Sequence, residues 1–151
     1  MHTAYLLLGS NMGNREKLLQ QALEALGRLG AVLAVSVRKE TEPWGFEEEV
    51  PTFLNQAVCL QTALEPEALL TECLEIEKKL GRERPWENSH YEDGGRTYSS
   101  RLIDIDILLY DFIQYNSKQL TIPHPRLKER PFAMDLLQEI LPKDIYLRDF
   151  Y

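Results

Sequence analysis

Two aspartates, two residues apart, carry the sharpest chemical signal in this chain. Asp104 and Asp106 lie in residues 101–110, where polar and apolar side chains alternate from Arg101 through Ile103, Ile105 and Ile107. Alternation of this kind marks a β-strand, whose successive side chains point to opposite faces. Asp104 and Asp106 therefore share one face, their Cα atoms roughly 6.5–7 Å apart. Ile103, Ile105, Ile107 and Leu109 are expected on the opposite face, in the core, with Leu102 and Leu108 beside the aspartates. Two like charges in an apolar frame repel and are costly to desolvate. A divalent cation removes that cost, and carboxylates with waters and substrate phosphates are the usual setting for Mg²⁺. The alternative for this strand alone is a solvated sheet face that carries aspartates, as antiparallel sheets often do.

The basic residues fall where such a site needs them. Arg82, Arg84, Arg96 and Arg101 lie in or beside a long polar stretch, and Arg126, Lys128 and Arg130 follow Pro123, His124 and Pro125. Guanidinium forks match phosphate oxygens. Arginines on loops beside a carboxylate strand describe a Mg²⁺–nucleotide site; singly, each is equally a solvated loop charge. Glu77 falls within an apolar helical stripe with Leu70, Cys73, Leu74 and Leu80. Glutamate is seldom buried without a partner, so it meets a loop arginine or a substrate group, or else snorkels at the stripe's edge. Phe53 and Asn55 share a face of another strand, and Phe132 follows Arg130 and Pro131. Each aromatic is core by default, yet two rings with an amide between them would sandwich a flat heterocycle.

Strands and two clear helices must position these groups. Residues 3–8 read as a buried strand and residues 15–29 as a helix. Leu18, Ala22, Ala25, Leu26 and Leu29 line one stripe, with Asn14 as cap and Gly30 as stop. Residues 31–40 read as a strand with Val35 and Val37 on one face, residues 42–52 as a loop, and residues 53–64 as a second long strand. A helix begins at Pro66 and runs to Leu80. Residues 82–100 form a long polar loop, a length that in a compact domain is functional or disordered. Residues 113–115 and 120–122 pair as a hairpin around Asn116 and Ser117, and residues 131–141 form a last helix. Strand, helix, strand, strand, helix, strand is the order of the ferredoxin-like α+β sandwich. Its antiparallel sheet has helices on one face and loops or a ligand on the other.

Composition narrows the classes. The 151 residues suit one domain, with 44% hydrophobic and 27% charged residues and no apolar run of membrane length. The first residues lack a basic segment before their apolar stretch, so a cytosolic protein is expected. With 17 basic against 24 acidic residues the net charge is −7, a poor match for binding nucleic acid. Cys59 and Cys73 are expected as buried thiols. No Gly-x-x-x-x-Gly-Lys-Ser/Thr loop is present. Gly9, Ser10, Asn11, Met12 and Gly13 are loosely similar to a phosphate loop but read better as a tight connection. His2, His90 and His124 are too dispersed for a metal centre.

Taken in order, the motifs resemble those of the 6-hydroxymethyl-7,8-dihydropterin pyrophosphokinases of folate biosynthesis. The matching residues begin with Gly9, Ser10 and Asn11, then Thr41, Glu42, Pro43, Trp44 and Gly45, then the stretch from Pro51 to Asn55. Ile76 and Glu77 with Gly81, Arg82 and Arg84 follow, then Arg101 to Asp106, Ile122 to Pro125, and Arg130 to Phe132. The resemblance implies a ferredoxin-like fold and transfer of pyrophosphate from ATP to the pterin hydroxymethyl group, with two Mg²⁺ ions and AMP released. By position, Asp104 and Asp106 resemble the metal-binding pair, catalytic together with Arg82 and Arg101. Glu77, Arg82, Arg84, Arg101, Ile107, Thr121, His124 and Arg130 resemble the ATP-binding groups. Thr41, Glu42, Pro43, Trp44, Phe53, Asn55 and Phe132 resemble the pterin pocket. Many members have Trp-Gly-Pro or Trp-Ala-Pro where this chain has Tyr98, Ser99 and Ser100, and an arginine where it has Gln119. The expected partners are ATP and the pterin, with no nucleic acid or membrane, acting on a monomer. The competing reading is a non-catalytic ferredoxin-like module that binds a small ligand or RNA. RNA is disfavoured by the acidic charge and the lack of the stacking aromatics of such modules.

Overall fold

The computed structural model describes residues 1–42, 52–81 and 102–151. Strand β1 (His2–Ser10) leads into helix α1 (Arg15–Leu26), then β2 (Gly30–Val35), β3 (Lys39–Thr41), β4 (Phe53–Thr62), helix α2 (Pro66–Gly81) and β5 (Asp104–Tyr110). A small hairpin of β6 (Tyr115–Asn116) and β7 (Thr121–Ile122) follows, then helix α3 (Pro131–Ile140). The main sheet has the order β2-β4-β1-β5, with β3 also paired to β4, and every pairing is antiparallel. This is the ferredoxin-like order expected from the alternation of elements. Among the described residues, no helix is long and apolar enough to cross a membrane.

Local chemistry explains the elements. The Asn14 side chain accepts the Lys17 N–H at 3.1 Å and caps α1. The helix ends earlier than residue 29: Gly27 is its C-cap, and its N–H reaches Leu23 O at 3.0 Å. Gly30 instead opens β2, where a Cβ would fall 1.9 Å from Gln61 O, so only glycine allows this strand approach. The single strand expected over residues 31–40 is two short ones. Both pair with β4, and Ser36 bridges them by receiving the Ala57 N–H on its hydroxyl. Val35 and Val37 are both exposed at this sheet edge. In α2 the buried stripe is Leu69, Cys73, Ile76 and Leu80, while Leu74 is exposed.

Each sheet face has its own core. Ala4, Leu6, Leu8, Val58, Leu60, Ile105 and Ile107 pack under α1 and α2. Tyr5, Leu7, Ala57, Cys59 and Leu108 pack under Ala133, Leu136, Leu137 and Ile140 of α3. The second face is thus covered at one end by a helix, where loops or a ligand were expected. The apolar face of α3 is buried against this end of the sheet. Lys39 Nζ lies 3.9 Å from Asp135, and Glu139 accepts the Val37 N–H at 3.1 Å, fixing α3 across the sheet.

Strand β5 contains an irregularity that sequence alternation cannot foresee. Its register against β1 shifts between Tyr5 and Leu6, so Leu109 opposes Tyr5 whereas Ile107 opposes Leu6. The extra residue puts both Leu108 and Leu109 in the α3-side core and turns Tyr110 to the α1–α2 side. Leu102, expected beside the aspartates, also joins the α1–α2 core, because it precedes the strand. Cys59 and Cys73 are free, buried thiols, as expected, and lie in different cores.

Candidate active site

The sheet face under α3 turns polar beyond the helix. Asp106 opposes Leu7, and Asp104 opposes Gly9, so both aspartates lie on the α3 side. Across the central strand, Gly9 also opposes Asn55, and Lys39 opposes Asn55 from the far side. A row of Lys39, Asn55, Gly9 and Asp104 therefore crosses four strands. Phe53 and Thr41 form the next pair outward. Phe53 and Asn55 share a face, as the strand period predicts, and the pairing through Gly9 makes it the face of the aspartate pair.

Asn55 is buried at 4% exposure and firmly oriented. Its Nδ2 donates to Thr41 Oγ1 at 2.7 Å and to Lys39 O at 3.3 Å. Both protons of the amide are thereby used, which leaves Oδ1 as the group aimed across the strand towards Gly9. Behind this wall, Arg15 donates to Thr52 O at 2.9 Å, to Thr52 Oγ1 at 3.1 Å and to Glu40 at 2.8 Å. Arg15 thus ties β3 to the start of β4, and it holds the Glu40 carboxyl below its usual range. Sequence reading placed Gly9 in a tight connection, whereas it and Ser10 lie within β1, and it passed over Arg15. The signals were a glycine in a strand and an arginine beginning a helix.

On the other side of the row, Arg130 NH1 lies 3.2 Å from Asp106 Oδ2. Arg130 is the residue before α3, and Phe132 stands in the first turn, partly buried against the α3-side core. The fixed φ of Pro131 at the helix start sets this entry. His124 follows Pro123, whose peptide bond with Ile122 is cis. The His124 N–H donates to Leu108 O at 2.9 Å, which docks this turn along β5. Burial, with the Arg130 and Arg126 charges, pushes the imidazole down to about 4, against an opposing pull from Asp104. The ring is neutral at physiological pH. Its Nδ1 accepts the Arg126 N–H at 3.1 Å, so its proton sits on Nε2, ready to donate.

Glu77 reaches the strand that carries the aspartates. Its Oε2 accepts the backbone N–H of Ile105 at 2.7 Å, the amide between the two aspartates. The carboxylate thereby fixes the strand segment that carries them. Ile107 points its side chain into the α1–α2 core, so only its backbone is available to a nucleotide. Thr121 lies in the hairpin and donates to Asn116 Oδ1 at 3.0 Å. Glu42 is exposed at the end of β3. Pro43, Trp44, Arg82, Arg84, Arg96, Tyr98, Ser99, Ser100 and Arg101 lie outside the described residues.

Comparison with known proteins follows the same line. Residues 5–142 match the family model of 7,8-dihydro-6-hydroxymethylpterin-pyrophosphokinase. The chain is 42% identical over 144 residues to the 2-amino-4-hydroxy-6-hydroxymethyldihydropteridine pyrophosphokinase of Porphyromonas gingivalis, covering 94% of this chain and 92% of that one. It is 40% identical over 139 residues to the Bacillus subtilis protein of the same name, covering 91% and 77%. Among solved structures, it resembles an HPPK-DHPS in complex with substrates, with TM-score 0.67 and 15% identity, over 97% of this chain. It also resembles Plasmodium falciparum HPPK-DHPS with SDX-DHP, with TM-score 0.65 and 16% identity. The chain spans 41% of each of those two solved chains, and that likeness bears on the fold. With the fold, the carboxylate pair and the match over nearly its full length in agreement, the chain belongs to the 7,8-dihydro-6-hydroxymethylpterin-pyrophosphokinase family.

Proposed function

We propose that ATP and the pterin meet over the row from Asn55 through Gly9 to Asp104. The family reaction is transfer of pyrophosphate from ATP to the hydroxymethyl group of 6-hydroxymethyl-7,8-dihydropterin, with AMP released, in folate biosynthesis. The observation that carries the placement is the shared face. Asp104 and Asp106 stand on it with Arg130 at 3.2 Å, and Asn55 opposes Gly9 one strand away.

The pterin half is Phe53, Asn55, Thr41, Glu42 and Phe132, with Pro43 and Trp44 beyond the described residues. The buried Asn55 amide reads a heterocycle edge, and the aromatic rings cover its faces. The ATP half is Arg130, His124 and the backbone near Ile107 and Thr121, together with Arg82, Arg84 and Arg101. Arg130 supplies a fixed guanidinium for phosphate oxygens, and neutral His124 supplies an Nε2–H. Glu77, on the ATP side of the row, also holds the Ile105 N–H and with it the strand segment between the aspartates.

The carboxylates also fit Mg²⁺, for which two ions are proposed. Asp104 and Asp106 offer hard oxygen donors on one face, and among the described residues no cluster of three or more His, Cys, Asp or Glu could hold a metal. Two carboxylates completed by water and substrate phosphate suit Mg²⁺ better than a closed protein cage. Bound there, the metal would neutralise polyphosphate charge. The remaining work belongs to the chain's own groups. They place the hydroxymethyl oxygen in line with the β-phosphorus and exclude water from it.

The reaction is tested with purified protein, ATP, Mg²⁺ and 6-hydroxymethyl-7,8-dihydropterin, resolving all nucleotides. AMP in equal amount to pterin diphosphate is the expected result. ADP, or phosphate without pterin modification, overturns it.

A further inference from the structure

We infer that Gly9 sets which heterocycle the pocket accepts, by leaving an open track across the central strand between Asn55 and Asp104. The inference rests on the pterin placement above and adds a specificity-determining residue to it. Opposed residues in antiparallel strands share a face, so any side chain at position 9 would stand between the amide and the carboxylate. A Cβ there would lie 3.1 Å from Asn55 Oδ1 and 3.7 Å from Phe53 Cδ1. Asn55 cannot turn aside freely, because Thr41 Oγ1 and Lys39 O hold its Nδ2 at 2.7 and 3.3 Å.

The backbone does not ask for glycine at this position. Among the described residues the glycine with positive φ is Gly13, not Gly9. Glycine in a strand interior is unfavourable by itself and marks a close approach by a ligand or another backbone. The neighbouring positions on the same face, Tyr5 and Leu7, carry large side chains buried in the core under α3. Side-chain bulk stops at Gly9, where the face turns from core to site. Two strand spacings separate Asn55 from Asp104, about 10 Å, which suits a flat bicycle carrying a one-carbon arm. The heterocycle edge would sit at Asn55 and its arm would cross Gly9 towards the aspartates.

The test compares Gly9→Ala and Gly9→Val with wild type, by calorimetric titration of pterin and, separately, of a non-hydrolysable ATP analogue, and by thermal unfolding. Gly9→Ala is expected to weaken pterin binding about tenfold, and Gly9→Val about a hundredfold. The midpoint of unfolding for Gly9→Ala should change by no more than a few degrees, because the 3.1 Å contact with the held Asn55 amide opposes the gain from alanine's smaller loss of backbone freedom. Binding of the ATP analogue alone should change by less than about twofold, since the mutated atom lies on the amide side of the row. A change in pterin affinity under about twofold in both variants overturns the inference. So does a joint fall in stability and in both affinities, which is the mark of a structural role. Asn55→Ala is measured alongside. If it loses pterin binding while both Gly9 variants keep it, the inference fails and the pocket stands; if it binds pterin normally, both fail.

Discussion

The β1–β5 pair carries carboxylates at both of its ends, arranged in opposite ways. At the end away from the site, the His2 ring lies between Asp111 Oδ2 at 2.8 Å and Glu65 Oε2 at 3.0 Å. Both ring nitrogens face carboxylates, so the two bonds are made together only when the ring is doubly protonated. Asp111 also accepts the Thr3 N–H at 2.8 Å and turns the chain at φ 49°. At the other end, Asp104 and Asp106 stand on one face of one strand, with Arg130 beside Asp106. Once protonated, the His2 ring sets a cation between two anions, so these carboxylates meet their counter-charge within the chain. The site end sets two like charges side by side, with Arg130 3.2 Å from Asp106, and their repulsion favours a further group of opposite charge. Carboxylates that meet their own counter-charge hold a structure together; the parallel pair is where the ligand is proposed to bind.

The largest effect is expected where the parallel pair is broken. Asp104→Ala and Asp106→Ala should each lower turnover by about a hundredfold or more, because the transferred group's charge loses its counterpart. The fold should survive, since Asp106 is 27% exposed and β5 remains anchored by its isoleucines. AMP release under saturating ATP and pterin, with circular dichroism of each variant, checks both parts. Turnover within a few-fold of wild type would remove the distinction between the two ends.

An intermediate effect should come from Glu77, which supports the pair from behind. Glu77→Ala leaves the Ile105 N–H without its acceptor and is expected to cost about 1–3 kcal/mol of stability. Glu77→Gln keeps an acceptor oxygen and should recover most of that loss. Urea unfolding of the two variants gives the comparison. Equal destabilisation by both, or a loss confined to ATP affinity, would make Glu77 a nucleotide contact instead of a strand anchor.

The smallest effect lies at the far end and depends on pH. The Asp111 hydrogen bond, aided by Glu65, raises the His2 pKa above its ordinary value near 6.5, and desolvation opposes the shift. A raised folded-state pKa means that the stabilisation is complete below about 6.5 and fades as pH rises through the raised value. His2→Ala should therefore be less stable than wild type in mild acid and converge with it at higher pH. The cluster is at the surface, so the difference should be small and reduced by salt. A gap that persists unchanged to high pH would mean that His2 acts through packing on Tyr110, whose ring lies 5.0 Å away.

Much of this was legible in the amino-acid order. The period of two placed Asp104 and Asp106 on one face, and Phe53 with Asn55 on another strand, because side-chain direction in a strand is a local property. The helix cap at Asn14, the start at Pro66 and the final helix after Arg130 were local too, since each depends on a few neighbouring residues. The element order was enough to fix the sheet topology, as short connections and all-antiparallel pairing leave few arrangements.

Other features depend on residues distant in the chain, and only the folded molecule decided them. The shift between Tyr5 and Leu6 put Leu109 on the α3 side, and nothing within residues 101–110 announces a bulge set by pairing with β1. Glu77 found its partner 28 positions away, in the strand amide it holds. Helix α3 covers half of a face because its apolar stripe meets Leu7, Ala57 and Leu108 there. Gly9 gained its meaning from Asn55 on one side and Asp104 on the other, residues 46 and 95 positions further along. The sequence by itself determined which side chains face together along each strand, and so which chemistry the chain carries. Tertiary structure decided the register between strands and which residues of distant segments meet, because that choice is made by packing and hydrogen bonds between segments that share no local signal.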